Sequence, residues 1–420
     1  MDKKTVGAWL VYQTGKLQRV EQQGNFENTY LAGKAAILLS AISTDNQSRI
    51  SNERLQALAK ASGVNTKTEL PVILKTLASR ELVDLGKSDI EVLGVTTAAA
   101  LGHATDIFED YGPTKIERAA IDLSERASTR PDEKSKLLEV ISDTYKLDTQ
   151  DSQGLFSDSE QIGFVDVERF DSGRTLYFNG NLFRRQDTEK VARVLDSLSA
   201  AEQTKMSEMS ALLSRSACMT VSEAERILGK LLFSKLSAVG IYDINVVSNA
   251  TEEVSYVTRP SAFSKYGDSM VDDAFDLAKM FVSSLTYGMT RSEYNRGQIR
   301  MIEVLLNTLI SGEPIGPVAA IGQDYKILEL KHVVQVFHGS KKGRSGFMMK
   351  LLKKEVGLLA LEVIKHADAS VHSLESLPGA AVTRFSGPEL NREVRRRRQV
   401  TANPKATNDI LMALRTGARI

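Results

Sequence analysis

One cysteine, Cys218, stands in 420 residues. A disulfide framework needs paired cysteines and a multi-cysteine metal site needs several thiolates, so both are excluded, and a lone thiol fits a reducing cytoplasm. Long apolar runs are lacking too. The opening stretch MDKKTVGAWLVYQTGK holds only a short apolar segment, with no secretory pattern. No later run approaches the roughly 20 residues of a membrane-spanning helix, so a cytoplasmic protein without membrane contact is expected. Net charge is nearly absent, since 54 Lys and Arg face 53 Asp and Glu for a formal +1. No global field draws such a chain to a polyanion, and any affinity for nucleic acid has to come from local patches.

Catalytic spacing is also missing. Of five histidines, His366 and His372 are six apart, which misses the i, i+4 geometry of a helical zinc pair. His332 and His338 miss that spacing in the same way, and His103 has no other histidine near it in sequence. The stretch HGSKKGRSG has glycines and lysines but not the GxxxxGK[ST] spacing, and it lies between two predicted strands instead of between a strand and a helix. Cys218 precedes MTVSEAER, and a helix N-terminus there would favour thiolate. No histidine lies within tens of residues, so buried packing is the stronger reading. Asp272, Asp273 and Asp276 alternate with Val271, Phe275 and Ala278, as on the solvated face of an amphipathic helix. The sequence predicts no catalytic residue, no cofactor, no metal, and a protein that is not an enzyme.

What is present is an ordinary globular composition, 42% hydrophobic and 25% charged. A chain of this length predicts two to four units of roughly 100 to 150 residues each. The most informative segment covers residues 33–110. GKAAILLSAIS reads as an apolar helix. SNERLQALAKASGV reads as a second, capped by Ser51 or Asn52, with Leu55, Leu58 and Ala59 inward and a stop at Gly63. NTKTELPVILKTLASRELVD restarts with Asn65 or Thr66 as cap and Leu70, Ile73, Leu74 and Leu77 on one face; Pro71 is early enough to be tolerated. Val83 to Leu85, then Gly86, Lys87 and Ser88, then IEVLGVT predict a hairpin, and AAALGHATDIFED a closing helix.

In this order of helix, helix, short turn, helix and hairpin, the segment resembles the winged helix-turn-helix superfamily, as a fold-level pattern and not a family signature. The resemblance implies a third helix entering the major groove and a hairpin touching the adjoining backbone of double-stranded DNA. Carried onto this sequence, it implies DNA contacts from Thr66, Lys67, Thr68, Lys75 and Arg80, with Lys87 on the wing. Glu69 and Glu81 interrupt that face.

The order recurs without obvious sequence identity. Residues 188–266 give a long helical segment from Thr188 to about Ala217, then TVSEAERILGK with Thr220 or Ser222 as cap and Glu223 or Glu225 in the first turn. KLLFSKLSAVG and the hairpin YDINVVS, NATEE, VSYVTRP follow. Glu252 and Glu253 at its tip make this copy a poor DNA reader and a better partner contact. Residues 295–367 give RGQIRMIEVLLNTLISG, a broken segment PIGPVAAIGQDYKILEL, and the hairpin VVQVFHGSKKGRSGFMMKL. Its tip, read as long and flexible, carries Lys341, Lys342 and Arg344 with no acid, suited either to a phosphate backbone or to discouraging edge-to-edge association. A second basic patch is the run Arg395, Arg396, Arg397 and Arg398.

The expected architecture is mainly α with small β-hairpins (α+β): winged-helix-like units over 1–110, 188–290 and 291–372, a helical connector plus hairpin over 111–187, and a basic tail over 373–420. The expected function is non-enzymatic DNA binding through wing and tail. The alternative is a protein-interaction scaffold, a subunit of a larger DNA-acting complex in chromosome maintenance or antiphage defence, a placement resting on fold-level analogy.

Overall fold

The computed structural model describes residues 1–20, 24–43, 49–86, 88–95, 97–170, 173–248, 253–266, 272–290, 297–341 and 343–366. The chain is mainly helical, with small antiparallel sheets of two or three strands.

The first helix, α1 (Lys3–Leu17), starts where the Asp2 carboxylate accepts the Thr5 amide proton at 2.8 Å. It packs on α2 (Glu27–Ser43) so closely that a Cβ on Gly33 would lie 2.0 Å from Thr14 Oγ1. Only glycine permits that approach. Then come β1 (Arg49–Ser51), α3 (Asn52–Ala61), α4 (Leu70–Ser79), β2 (Val83–Leu85), β3 (Asp89–Val92) and α5 (Thr97–Asp110). Ser51 is the cap of α3, its Oγ accepting from the Arg54 amide at 3.3 Å. The start of α4 differs from the sequence expectation. Asn65 Oδ1 accepts from the Lys67 and Thr68 amides at 2.9 and 3.2 Å, closing a turn, and the helix begins only at Leu70 with Pro71 in its first turn. An asparagine that can bond its own backbone two residues on competes with helix in this way. Leu70, Ile73 and Leu77 are buried, whereas Leu74 is half-buried.

Residues 111–187 carry more order than a connector with a hairpin. They form α6 (Lys115–Thr129), β4 (Asp132–Glu133), α7 (Lys134–Tyr145), α8 (Thr149–Ile162), β5 (Asp166–Arg169) and β6 (Thr175–Phe178). That is the element sequence of α2 to β3. The linear pattern hides it because β4 is two residues long and gains strand character only by pairing Asp132 with Tyr177 and Glu133 with Leu176.

After α9 (Thr188–Asp196), the order appears again as α10 (Ala200–Leu213), β7 (Met219–Thr220), α11 (Val221–Leu228), α12 (Lys230–Ala238), β8 (Asp243–Ser248) and β9 (Glu253–Thr258). The long helix expected from Thr188 is two helices, because Ser199 and Glu202 form a capping box that starts α10 afresh. Thr220 and Glu223 form another and start α11. Next are α13 (Pro260–Ser264) and α14 (Asp272–Thr290), and a fourth round of α15 (Ile302–Ile310), α16 (Ala319–Asp324), α17 (Lys326–Leu330), β10 (Val334–Lys341), β11 (Arg344–Leu351) and α18 (Lys354–His366).

One pairing rule holds throughout. The short strand pairs antiparallel with the second strand of the hairpin, as β1 with β3, β4 with β6 and β7 with β9; in the fourth round a single bridge, Ile315 with Met349, does the same. Each round also has its own apolar centre. Ile50, Ile73 and Leu77 lie in the first; Leu137, Phe156 and Tyr177 in the second; Leu228, Leu236 and Val257 in the third; Ile321, Val334 and Met349 in the fourth.

Trp9 of the first centre is fully buried and meets groups from two other parts of the chain. Its Nε1 donates to Glu125 of α6 at 2.7 Å, and its ring meets Tyr266 edge-on at 4.9 Å. Lys265 Nζ donates to the same Glu125 carboxylate at 2.8 Å. The first two rounds and the segment after the third are therefore joined by one mixed apolar and polar knot.

Cys218 is buried, and its Sγ lies 3.2 Å from Thr286 Oγ1. Burial pushes its thiol up to about 11. The folded chain thus keeps this proton where the unfolded chain loses it, so this contribution to stability is present below the ordinary thiol range and is lost as pH rises toward 11. At pH 8, Ellman's reagent should label native protein no faster than it unfolds and should label urea-unfolded protein at once. Rapid labelling of the native protein would contradict the packing.

Candidate nucleic-acid interface

The β10 and β11 arm is the longest hairpin among the described residues, with eight residues per strand. The sequence expects a long, flexible tip over residues 341–344; the strands pair right up to its ends, Gly339 with Gly346, Ser340 with Ser345 and Lys341 with Arg344. Only residues 342 and 343 separate the last pair, and Gly343 supplies the positive φ of 75° that a two-residue turn demands. Directly opposed residues leave a strand pair on the same face, so Lys341 and Arg344 stand side by side. Both are exposed. Lys342 lies outside the described residues, as do Lys87 and the run Arg395 to Arg398.

Charge sets this hairpin apart. The β2–β3 hairpin carries Asp84, Asp89 and Glu91; β5–β6 carries Asp166 and Glu168; β8–β9 carries Asp243 and Glu253. From Val334 to Leu351 there is none.

In the first round, Lys67 and Thr68 are exposed and Thr66 is half-buried, all three in the turn ahead of α4 and not on it. Lys75 is exposed on α4 together with Val72 and Ser79, one outward stripe at helical spacing. Arg80 is turned elsewhere. Its Nε donates to Asp110 at 2.5 Å and its Nη2 to the Asp106 carbonyl at 2.7 Å, so it ties α4 to α5. Glu69 is likewise consumed, accepting both contacts of Lys34 Nζ at 2.8 and 2.6 Å and the Asn65 amide at 2.7 Å. Lys34 is 3% exposed, and its charge needs that carboxylate. Glu69 therefore acts as an internal counterion instead of opposing phosphate at the surface.

One cation of the fourth round escapes sequence reasoning. Arg300 lines a cleft together with Lys341 and Arg344. No linear signal links it to them, because the approach depends on how the segment before α15 returns to the arm. Tyr325 lines the same cleft at 3% exposure, and burial, with the Asp324 carboxylate adding to it, pushes its phenol well above the usual range. Among the described residues no group of three or more His, Cys, Asp or Glu could hold a metal ion, and no helix is long and apolar enough to cross a membrane. No protein-family model and no curated protein matches the chain.

Proposed function

We propose that the chain is a non-enzymatic DNA-binding protein built from winged-helix rounds, with the β10–β11 arm as its principal wing. The observation that carries this reading is the arm itself: eight paired residues a side, an exposed Lys341 and Arg344 at its end, and no acidic residue along it. The recurring element order, with the short strand paired to the second hairpin strand, supports the winged-helix description. Contacts to the backbone of double-stranded DNA come from Lys341, Lys342 and Arg344, with Thr66, Lys67, Thr68 and Lys75 as a second face. Arg395 to Arg398 remain part of the reading on their sequence alone.

Salt dependence is the test. Replacing Lys341, Lys342 and Arg344 with Ala is expected to flatten the slope of log affinity against log salt by about 0.9 per lost phosphate contact, with little change in sequence preference. Lys67→Ala with Lys75→Ala should weaken the same binding and leave the melting temperature in place, because neither side chain is buried. An unchanged slope in a folded triple variant would sink the wing reading.

A specific feature favours a second reading, a scaffold subunit of a DNA-acting complex. In the third round Leu231, at the start of α12, is 86% exposed, and Ile244 and Val246 on the edge strand β8 are 47% and 53% exposed. Apolar side chains on the positions that elsewhere face DNA suit a protein partner. Leu231→Glu with Val246→Glu should abolish co-purification of such a partner from the native host without shifting the salt slope.

A further inference from the structure

The cleft beside the arm has a volume of about 640 Å³, inside the range of roughly 300 to 1,000 Å³ common for small-molecule sites. Ile299, Leu305, Ile315, Ile321 and Met349 make its floor. Arg300, Lys341 and Arg344 bring three cationic side chains to its lining, and among the described residues that line it there is no Asp or Glu. Lys341 Nζ donates to the Pro314 carbonyl at 3.3 Å, which holds that side chain beside the 315–318 segment of the lining.

A second, independent feature is Tyr325. It is 3% exposed, it lines the cleft, and its Oη has no hydrogen-bond partner among the described residues. Gly288 leaves room for that hydroxyl, since a Cβ there would lie 2.0 Å from it. A buried hydroxyl without a partner is costly, and an acceptor brought by a ligand removes the cost.

We propose that this cleft binds a small amphipathic organic anion, an apolar or aromatic body bearing a carboxylate, sulfonate or phosphate. The body lies on the apolar floor. The acidic group is held by Arg300, Lys341 and Arg344, and a polar atom of the body accepts from Tyr325. Charge complementarity selects the anion, and the apolar floor selects the body over a fully solvated ion such as free phosphate. One consequence rests on the DNA-binding reading: the anion and a duplex draw on the same Lys341 and Arg344, so the two compete.

The probe is anilinonaphthalene sulfonate, titrated into the full chain and followed by fluorescence, beside the uncharged phenylnaphthylamine that shares its ring body. Saturable single-site binding of the sulfonate is expected. Lys341→Ala with Arg344→Ala, both exposed positions, should weaken it roughly tenfold or more, the loss of two charge-assisted contacts, while binding of phenylnaphthylamine and the melting temperature stay unchanged. Absence of saturable binding, or equal affinity of the sulfonate for wild type and double variant, overturns the proposal. Adding duplex to the sulfonate complex separates the two readings. Displacement supports the shared cations; a duplex that neither binds nor displaces removes the competition and the DNA reading, and leaves the charge-dependent site standing.

Discussion

Glu117→Ala is expected to lower the free energy of unfolding by about 2 to 5 kcal/mol, because it leaves several donors without their acceptor at about 1 to 3 kcal/mol for each one that is buried. Glu117 is fully buried. Its Oε1 accepts from the Thr29 amide at 2.9 Å, and its Oε2 from Asn28 Nδ2 at 3.0 Å and the Thr114 amide at 2.9 Å. Thr29 lies in the first turn of α2, and Glu117 is itself the third residue of α6 in a capping box with Thr114. One carboxylate thus serves two helix N-termini, where aligned peptide dipoles favour negative charge. Alanine leaves the Thr29 amide without its acceptor, in a place where Thr29 is fully buried and water does not reach. Gln should recover only part of the loss, because its amide turns a donor toward donors. The measurement is a urea melt of each variant. An Ala variant within about 0.5 kcal/mol of wild type, the range of an inconsequential surface change, would mean that the network does not hold α2 to α6.

Trp9→Ala should cost about 3 to 5 kcal/mol, as large aromatic truncations in a core do, and here the loss spreads beyond one round. Removing the indole empties the space between Tyr12 and Tyr266 and takes away the proton donated to Glu125. Glu125 keeps Lys265 as a partner, so the carboxylate is not stranded; the packing loss dominates. Trp9→Phe separates the contributions, since it restores most of the body and none of the donor. A hydrogen bond to a charged group contributes about 1.5 to 3 kcal/mol, and Phe should retain a deficit of that order. Trp9 is the chain's single tryptophan, so wild-type emission reports the knot directly. Coincident loss of the fluorescence and helical signals is expected, because the knot ties α1 and α6 to the 265–266 segment. Two separated transitions in the wild type would show that Trp9 does not couple them.

Much of the secondary structure was legible because its causes are local. The Thr220 and Glu223 capping box is a backbone event spanning four residues, visible as TVSE. The arm from 334 to 351 announces itself by two apolar runs around glycines. Leu70, Ile73 and Leu77 face inward as their spacing predicts, and Ser51 caps α3 as one of its two expected alternatives. Other features failed to show for an equally physical reason. The second round was missed because β4 has no strand signal of its own and exists only through its register with β6. The expectation of a long tip gives way to a two-residue turn, because cross-strand pairing carries the ladder out to Lys341 and Arg344. The Thr66 to Thr68 turn was read as helix because Asn65 can cap either.

Among the candidate contacts, residue type was readable and availability was not. Lys67, Lys75 and Arg80 are all cations within one stretch, yet only the first two are exposed, and Arg80 is held by Asp110. Glu69 looks like a surface acid and is instead the counterion of the buried Lys34. What the sequence by itself determined is the set of local choices, where helices start and stop, which faces are apolar, and that one hairpin carries no acid. These depend on interactions within a few residues, which any linear reading contains. What only the tertiary structure decided is which charges are spent internally, which short strands exist, and that Arg300 shares a cleft with Lys341 and Arg344. Those outcomes depend on partners tens of residues apart, whose meeting is fixed by the packing of whole helices and not by spacing along the chain.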